Sequence, residues 1–271
     1  MMHYFSKALL GLVFLFSFYR ADAKIALVNS LNDSGAGTLR DLIANATNGD
    51  TIMMDLKGTI NLNSPINLSK KLYILGAFPV HSVINASASG GQSFSCTGAS
   101  SDTVFIQGFK FINSTSNNSM VNVSGSAILR IVDCLFEGLN GLANGQCIST
   151  NNTATAQIYN CSFFSNTTSG QGGAVFIDAL ATAKIINCTF NANNSTSNQG
   201  GAIYTIGNLT LGNNTFLNNL SNQGADLFIQ AGSPVVYNNI FSGPGAGQQI
   251  ENGSFVTNPG GNVFSGNSAG Q

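Results

Sequence analysis

The feature that most constrains this chain is a block ending in phenylalanine that recurs every 25–27 residues. In each copy an apolar residue stands five positions before the Phe, with a polar turn residue between them, as in the pair Ile158 and Phe163. The copies end at Phe111, Phe136, Phe163, Phe190, Phe216 and Phe241, and a weaker copy ends at Phe264. A fixed period of this length is typical of repeat architectures in which each copy packs on its neighbours.

The segments between the turns are predicted to be short strands. Apolar and polar residues alternate at 156–159 and 183–186, and no helical periodicity accompanies them. A second block, in which glycines precede a short apolar run, keeps the same period at 171–176, 199–204 and 223–228. Because equivalent strands are one period apart, each must pair in parallel with its own copies, and the crossovers should be right-handed. We therefore predict an all-β chain folded as a right-handed parallel β-helix, a solenoid of roughly eight or nine coils.

The beginning of the chain is typical of a secretory signal peptide. A weakly basic start precedes an apolar block at 8–19 and an Ala-Asp-Ala pattern that ends at Ala23. The block is shorter than the roughly 20 residues that cross a bilayer as a helix. We predict a signal peptide over residues 1–23 and export of the remainder, without a membrane span. Arg20 directly after the block leaves a retained membrane anchor as the alternative.

Residues 24–50 are predicted to form an N-terminal cap, and residues 51–271 the β-helix. A solenoid without a cap exposes the apolar surface of its first coil. Thr38 is a suitable N-cap for a short α-helix over 39–45, whose apolar residues share one face.

The composition excludes several classes of function. Charged residues make up 8% of the chain, the formal net charge is −1, and Lys and Arg form no cluster. A nucleic-acid partner, which requires a basic surface, is therefore not expected. Beyond the signal segment the one histidine is His81, and no Cys/His motif is present, so neither a metal nor a cofactor is predicted. We expect a long polar face that contacts a glycan or another surface protein.

When successive coils are in register, residues one period apart in the sequence lie directly above one another. The sequence therefore predicts which side chains form a column along the solenoid. One column holds Asp133, Asn160, Asn187, Asn213 and Asn238. Asn suits a turn with a left-handed backbone, and stacked amides can hydrogen-bond along a ladder. We predict a structural ladder there, with a row of ligand-binding amides as the alternative.

Cysteines form the adjoining column, at Cys134, Cys161 and Cys188. The favoured interpretation is a stack of small apolar fillers. Neighbouring coils also lie at a distance that a disulfide can bridge in an oxidising compartment, which is the alternative. Since the chain has five cysteines, at least one thiol must be free.

Several motifs resemble bacterial secreted β-helix proteins related to the polymorphic outer-membrane proteins. The run from Val28 to Ile43, followed by Asn-Gly-Asp-Thr-Ile at 48–52, looks like the start of such proteins. The family's Gly-Gly-Ala-Ile and Phe-x-x-Asn repeats are matched by the segments at 172–175, 200–203, 163–166, 190–193 and 216–219, and its last coil by 259–264. The resemblance implies surface exposure and adhesion, with the β-helix displayed by a C-terminal barrel or another anchor. Only seven residues follow Phe264, so release or retention in the periplasm is expected beside the outer membrane and cell surface.

An enzyme is the main alternative, because polysaccharide lyases and hydrolases also use this fold. Glycosidases need two carboxylates roughly 5–10 Å apart, and Asp133 and Glu137 are the one close pair beyond the cap. Arg130 is the basic residue beside them, in a column with Gln157 and Lys184 that we place on a solvated face. The scarcity of ionisable groups favours a non-catalytic, adhesin-like binding or structural module over this catalytic set.

A third alternative, an ice-binding face, requires a flat column of threonines on successive coils. Thr189 and Thr215 fit such a column. Leu135, Ser162 and Ile240 interrupt it, which argues against this function.

Overall fold

A computed structural model describes residues 23–77, 81–99, 103–114, 117–196, 199–243, 248–253 and 256–266. The predicted signal segment, apart from Ala23, lies outside the described residues. The described chain is an all-β parallel solenoid of about 9 turns with one short helix, which confirms the fold expected from the period. No helix of the described residues is long and apolar enough to cross a membrane.

Three long parallel sheets form the walls, and the chain visits them in the order A, B, C. Sheet A has ten strands: β1 (Ile25–Val28), β2 (Thr51–Met54), β5 (Leu72–Leu75), β8 (Thr103–Gln107), β11 (Ile128–Val132), β15 (Thr155–Tyr159), β19 (Thr182–Ile186), β23 (Asn208–Gly212), β26 (Val235–Tyr237) and β29 (Thr257–Gly260). Sheet B has nine strands: β3 (Gly58–Asn61), β6 (Ser82–Asn85), β9 (Lys110–Ile112), β12 (Leu135–Glu137), β16 (Ser162–Phe164), β20 (Thr189–Asn191), β24 (Thr215–Leu217), β27 (Ile240–Gly243) and β30 (Val263–Gly266).

Sheet C and a short fourth sheet complete the coils. Sheet C has eight strands: β4 (Ile66–Leu68), β7 (Phe94–Cys96), β10 (Val121–Val123), β14 (Ile148–Thr150), β18 (Val175–Ile177), β22 (Ile203–Thr205), β25 (Leu227–Ile229) and β28 (Ile250–Asn252). Sheet D has three: β13 (Asn140–Gly141), β17 (Thr167–Thr168) and β21 (Asn194–Ser195). Equivalent strands pair in register, with Ile158 opposite Ile185 and Phe163 opposite Phe190.

The recurring phenylalanines form one stacked column inside sheet B. Phe111, Phe136, Phe163, Phe190, Phe216, Phe241 and Phe264 follow one another with ring centroids 4.6–5.1 Å apart. This separation matches the roughly 4.8 Å between hydrogen-bonded strands, so the sheet sets the stack. The first six side chains of the column are fully buried, and each such burial contributes roughly 1.5–3 kcal/mol.

The predicted cap helix is present. α1 spans Leu39–Asn45, the Thr38 hydroxyl accepts a hydrogen bond from the Asp41 amide, and Leu39 and Ile43 are buried. At its C-terminal end, the Lys70 ammonium donates to the carbonyl oxygens of Ala44 at 3.0 Å and Ala46 at 2.8 Å. A cation at this end binds carbonyls that have no partner within the helix. The cap is therefore tied to the first full coil.

The asparagine column at the A–B turn has the expected backbone. Asp133, Asn160, Asn187, Asn213 and Asn238 all have φ between 51° and 56°, and the four Asn side chains are exposed. In the described part of the chain, no hydrogen bond joins one of these amides to the next along the rod. The amide–amide bonds between coils join other columns, such as the buried ones that contain Asn166 and Asn214.

One buried amide ladder lies between sheets B and D. The Nδ2 group of Asn166 donates to Oδ1 of Asn193 at 2.9 Å, and Nδ2 of Asn193 donates to Oδ1 of Asn219 at the same distance. Nδ2 of Asn193 also donates to the carbonyl of Phe163 at 3.0 Å. Each buried amide is thus satisfied by the coils on either side of it.

The cysteine column merges into a second amide ladder. All five cysteines of the chain are free and buried. The Cys161 amide donates to Sγ of Cys188 at 3.4 Å, and the Cys188 amide donates to Oδ1 of Asn214 at 2.8 Å. Burial raises the pKa of Cys96 to about 12 and raises those of Cys147 and Cys161 well above the usual range. Cys161 therefore acts as a neutral wall residue, in the column that Asn214 and Asn239 occupy on later coils.

Glycines allow a loop to fold over an outer aromatic stack on sheet C. Phe176, Tyr204 and Phe228 stack on successive strands with centroids 5.4–5.5 Å apart, yet they are almost fully buried. Gly172 and Gly200 begin the covering loops with φ of 68° and 67°. A Cβ atom at Gly200 would lie 2.4 Å from the Ile203 carbonyl oxygen. The Gly-Gly motif of the repeat thus permits a turn that a side chain would block.

Candidate functional site

The three residues of the catalytic alternative lie on different surfaces. Arg130 is in β11 on sheet A, Glu137 ends β12 on sheet B, and Asp133 occupies the turn between them. The Asp133 carboxylate accepts a hydrogen bond from Nε2 of Gln107 at 2.7 Å. Glu137 forms an ion pair with Lys110 on the neighbouring strand. No hydrogen bond or ion pair joins any two of the three residues, and each of the two carboxylates is instead bound by a side chain of the preceding coil.

Asp226 is the most perturbed carboxylate, and it is enclosed. Its side chain accepts a hydrogen bond from Nδ2 of Asn219 at 2.8 Å, and the residue is 2% exposed. Burial raises the pKa of Asp226 to about 7, while the Asn219 hydrogen bond acts in the opposite direction. Asp226 therefore closes the Asn166–Asn193–Asn219 ladder inside the wall.

A third side-chain ladder lies on the outside of sheet C, and it also ends at a carboxylate. Nε2 of Gln171 donates to Oε1 of Gln199 at 2.7 Å, Gln199 donates to Gln223 at 3.2 Å, and Gln223 donates to Glu251 at 3.2 Å. Every amide donor in this row points towards the C-terminal coil, and the Glu251 carboxylate accepts the last of these hydrogen bonds. Two of the chain's few carboxylates, Asp226 and Glu251, thus have a structural explanation.

Among the described residues, no group of three or more His, Cys, Asp or Glu side chains could hold a metal ion. The part of the chain that the structure describes includes two shallow cavities. One, of about 220 Å³ beside sheet C, is lined by amides and hydroxyls including Asn118, Asn122, Asn144 and Ser149. The other, of about 290 Å³, lies between α1 and the first coil beside Arg40 and Lys70. Both cations are already bound, Arg40 by Asp33 and Lys70 by the helix carbonyls.

The outer face of sheet A carries the most distinctive set of outward-facing side chains, of which Tyr73, Arg130 and Lys184 are exposed. Register places Tyr73, Phe105, Arg130, Gln157 and Lys184 directly above one another on five successive strands. A parallel outward column, two residues further along each strand, runs through Leu75, Gln107, Val132, Tyr159 and Ile186. We call Tyr73, Phe105, Arg130, Tyr159 and Lys184 the sheet A stripe.

Aromatic rings hold the Arg130 guanidinium against the sheet. Its central carbon lies 5.9 Å from the Phe105 ring centroid and 5.1 Å from that of Tyr159. Tyr73 continues the aromatic surface, with its ring centroid 5.8 Å from that of Phe105, and is 39% exposed. A cation over an aromatic face gains roughly 0.5–1 kcal/mol at an exposed site. The stripe therefore presents a positive charge in a fixed position between flat apolar surfaces.

Tyr237 extends the aromatic surface beyond Lys184. It lies one strand above Gly212 in the second outward column, and a Cβ atom at Gly212 would be 2.4 Å from Cζ of Tyr237. The absence of a side chain at Gly212 lets this ring lie flat over β23. Ile186 precedes Gly212 in the same column.

The outer face of sheet A is not uniformly polar. The outward positions of Arg130 and Lys184 agree with the predicted column, but aromatic and aliphatic side chains surround them. The sequence pattern missed Tyr73 and Phe105 because the early coils are irregular, with an offset of 32 positions from one to the other. Tyr159 was missed because it lies in the neighbouring column and one coil away from Arg130. Strand-by-strand alignment of outward residues would have found it.

No protein-family profile matches the chain, and no curated protein matches it in sequence. Solved structures do match. The PL6 family alginate lyase AlyGC superposes with a TM-score of 0.58 and 13% sequence identity, over 90% of this chain and 40% of the lyase chain. A mutant of AlyGC gives a TM-score of 0.57 and 15% identity, over 91% and 40% of the two chains. At these identities the likeness shows the parallel β-helix fold alone, and this chain spans about 40% of the length of the lyase.

Proposed function

We propose that this chain is an exported, surface-associated and non-catalytic β-helix module that binds carbohydrate through the sheet A stripe. The observation that carries the proposal is the outward-facing aromatic surface of Tyr73, Phe105 and Tyr159 around the guanidinium of Arg130. Aromatic faces pack against the C–H faces of sugar rings, and polar groups beside them hydrogen-bond the hydroxyls. A long flat sheet offers the same surface to several sugars of one chain.

Binding rather than catalysis is supported by the state of the ionisable groups. Asp133, Glu137, Asp226 and Glu251 each accept a hydrogen bond or ion pair from a neighbouring side chain of the wall. Such carboxylates hold the coils together and are not gathered around a cleft. The adhesin-like role and the relation to the polymorphic outer-membrane proteins belong to the same proposal, and they are supported by the paired Gly-Gly-Ala and Phe-x-x-Asn repeats.

Binding to a panel of neutral and acidic polysaccharides by affinity electrophoresis tests this function. We expect Tyr159→Ala and Tyr73→Ala to weaken binding by roughly tenfold each, the effect of removing an aromatic contact worth about 1.4 kcal/mol. Phe164→Ala is the matched control, because Phe164 is 41% exposed but lies on sheet B. Equal losses in all three variants, or no binding to any polysaccharide, would contradict the proposal.

A polysaccharide lyase is the second candidate, favoured by the fold that the chain shares with AlyGC. Incubation with alginate and polygalacturonate, followed by ultraviolet detection of unsaturated products, separates the two functions. The binding proposal expects no product. Product that disappears in Arg130→Ala or Glu137→Gln would establish the enzyme instead.

A further inference from the structure

We propose that the ligand of the sheet A stripe is an anionic glycan, a chain of uronic acids, that lies along the axis of the solenoid with about one sugar per coil. The inference rests on the proposed carbohydrate-binding function. It adds the charge of the ligand, its direction on the protein and its register with the strands.

The distribution of positive charge indicates an anionic ligand. After residue 72 the sequence contains only three basic residues other than histidine: Lys110, Arg130 and Lys184. Lys110 is neutralised by Glu137 on sheet B. Arg130 and Lys184 are exposed on sheet A, and the ion pairs found among the described residues involve neither of them. Among the described residues of these coils, the cations without an ion pair, Arg130 and Lys184, therefore lie in one outward column.

Carboxylates at the margins of sheet A do not reach these cations. Asp133 follows β11 and is bound by Gln107 at 2.7 Å. Asp178 precedes β19 and accepts a hydrogen bond from the Ala179 amide at 2.8 Å. The stripe is thus a local positive surface on a chain whose formal net charge is −1. Such a surface selects an anionic ligand and repels cationic ones.

The spacing of the two cations indicates how the ligand lies along the solenoid. Arg130 and Lys184 occupy one column and are separated by one strand, which contributes Gln157. Two strand spacings correspond to roughly 10 Å along the solenoid axis. Each sugar of an extended 1,4-linked chain lengthens the chain by about the distance between two neighbouring strands. In a chain with twofold symmetry, every second sugar turns its carboxylate to the same side. Arg130 and Lys184 therefore match the carboxylates of sugars n and n+2, and Gln157 lies opposite the sugar between them.

The chemistry of the two side chains fits this assignment. The planar Arg130 guanidinium can bind a carboxylate with two parallel hydrogen bonds, and the rings of Phe105 and Tyr159 already fix its position. Lys184 provides a flexible point charge at the second carboxylate. Tyr73 and Phe105 continue the surface for further sugars towards the cap.

Calorimetric titration with oligogalacturonates of two to six sugars, and with their methyl esters, tests the inference. We expect the acids to bind at least tenfold more tightly than the esters, with the difference shrinking as salt is added. Arg130→Gln should weaken binding of every acid by roughly tenfold, since it removes a charge-assisted contact. Lys184→Gln should weaken binding severalfold for three or more sugars and leave the disaccharide within twofold. Lys110→Gln, which removes the same charge from sheet B, should change none of these affinities.

The outcomes separate the inference from the proposed function. Esters that bind as tightly as the acids, through Tyr73 and Tyr159, would overturn the anionic ligand and leave carbohydrate binding intact. A Lys184→Gln effect that is equal for the disaccharide and the hexasaccharide would overturn the axial register. Failure of all acids and esters, together with the neutral polysaccharides, would overturn both proposals.

Discussion

Single asparagines have two structural roles in this chain, and backbone geometry separates them. Asn160 and Asn187 occupy the left-handed region with exposed side chains. There the short polar side chain tolerates a conformation that most residues avoid. Asn166 and Asn193 are completely buried, and their amides bind the coils on both sides. An exposed turn asparagine can be exchanged for glycine, whereas a buried one has no equivalent among apolar residues.

The single residue with the strongest expected pH effect is Asp226. Its pKa in the folded state is about 7, raised from 3.8 by burial. The folded protein then binds this proton more tightly than the unfolded chain, so the associated stability is fully present below about pH 4 and is lost as the pH rises to about 7. The difference corresponds to roughly 4 kcal/mol at most. Asp226→Asn should remove this slope, match the original chain at pH 4 and exceed its stability at pH 8.

The test is urea unfolding of the original protein and of the Asp226→Asn variant between pH 4 and pH 8, followed by circular dichroism. The measured quantity is the free energy of unfolding at each pH. Asp178→Asn is the control, because it removes the same carboxylate from a half-exposed position. Identical pH profiles for the Asp226→Asn variant and the original chain would show that the buried carboxylate does not control stability in this range.

At the scale of elements, each coil is joined to the next by main-chain hydrogen bonds and by a side-chain ladder. Asn193 accepts hydrogen bonds from the amide and Nδ2 groups of Asn166, and it donates to Phe163 and Asn219. Since the site is fully buried, no water replaces a lost partner. The ladder therefore joins the loops beside sheet D to the neighbouring coils by hydrogen bonds, as main-chain pairing joins the strands.

Asn193→Ala should lower the free energy of unfolding by roughly 3 kcal/mol, because at least two buried donors lose their acceptor at about 1–3 kcal/mol each. Asn191→Ala, two residues earlier and facing outwards on sheet B, should cost less than about 0.5 kcal/mol. Chemical denaturation of the two variants gives the comparison. Similar costs in both would mean that the ladder adds little to main-chain pairing.

The elements also show where sequence patterns succeed. The alternation at 183–186 and the Phe period correctly placed the strands β19 and β20 and their register with the previous coil. The same patterns assigned the amide ladder to the column of Asn160 and Asn187, whereas the buried ladder of these coils forms six residues later, at Asn166 and Asn193. The reason is that burial of a loop residue depends on how the loop folds against the wall, which alternation within strands does not describe.

The whole molecule is a linear array in which each coil contacts the coils before and after it. Energetic coupling should therefore be local along the rod. Phe163 and Phe190 stack at 4.6 Å, whereas Phe111 and Phe216 are separated by three intervening rings of the same column.

Double-mutant cycles with Phe→Leu substitutions test this property. The pair Phe163→Leu and Phe190→Leu should show a coupling of at least about 0.5 kcal/mol, because each ring is the other's packing partner. The pair Phe111→Leu and Phe216→Leu should be additive within about 0.5 kcal/mol. Equal coupling for both pairs, measured by denaturant unfolding, would indicate that strain spreads through the entire solenoid.

The sequence by itself determined the parallel β-helix, its coil length, the buried Phe column, the cap helix and the outward positions of Arg130 and Lys184. These follow from periodicity and from local propensities, because a repeating chain must place like residues on like positions. Only the tertiary structure decided that Phe105 and Tyr159 enclose Arg130, that Lys110 neutralises Glu137, and that Asp226 closes a buried ladder. Such partners come from different coils with loops of unequal length, and their meeting depends on distances in space that no local pattern encodes.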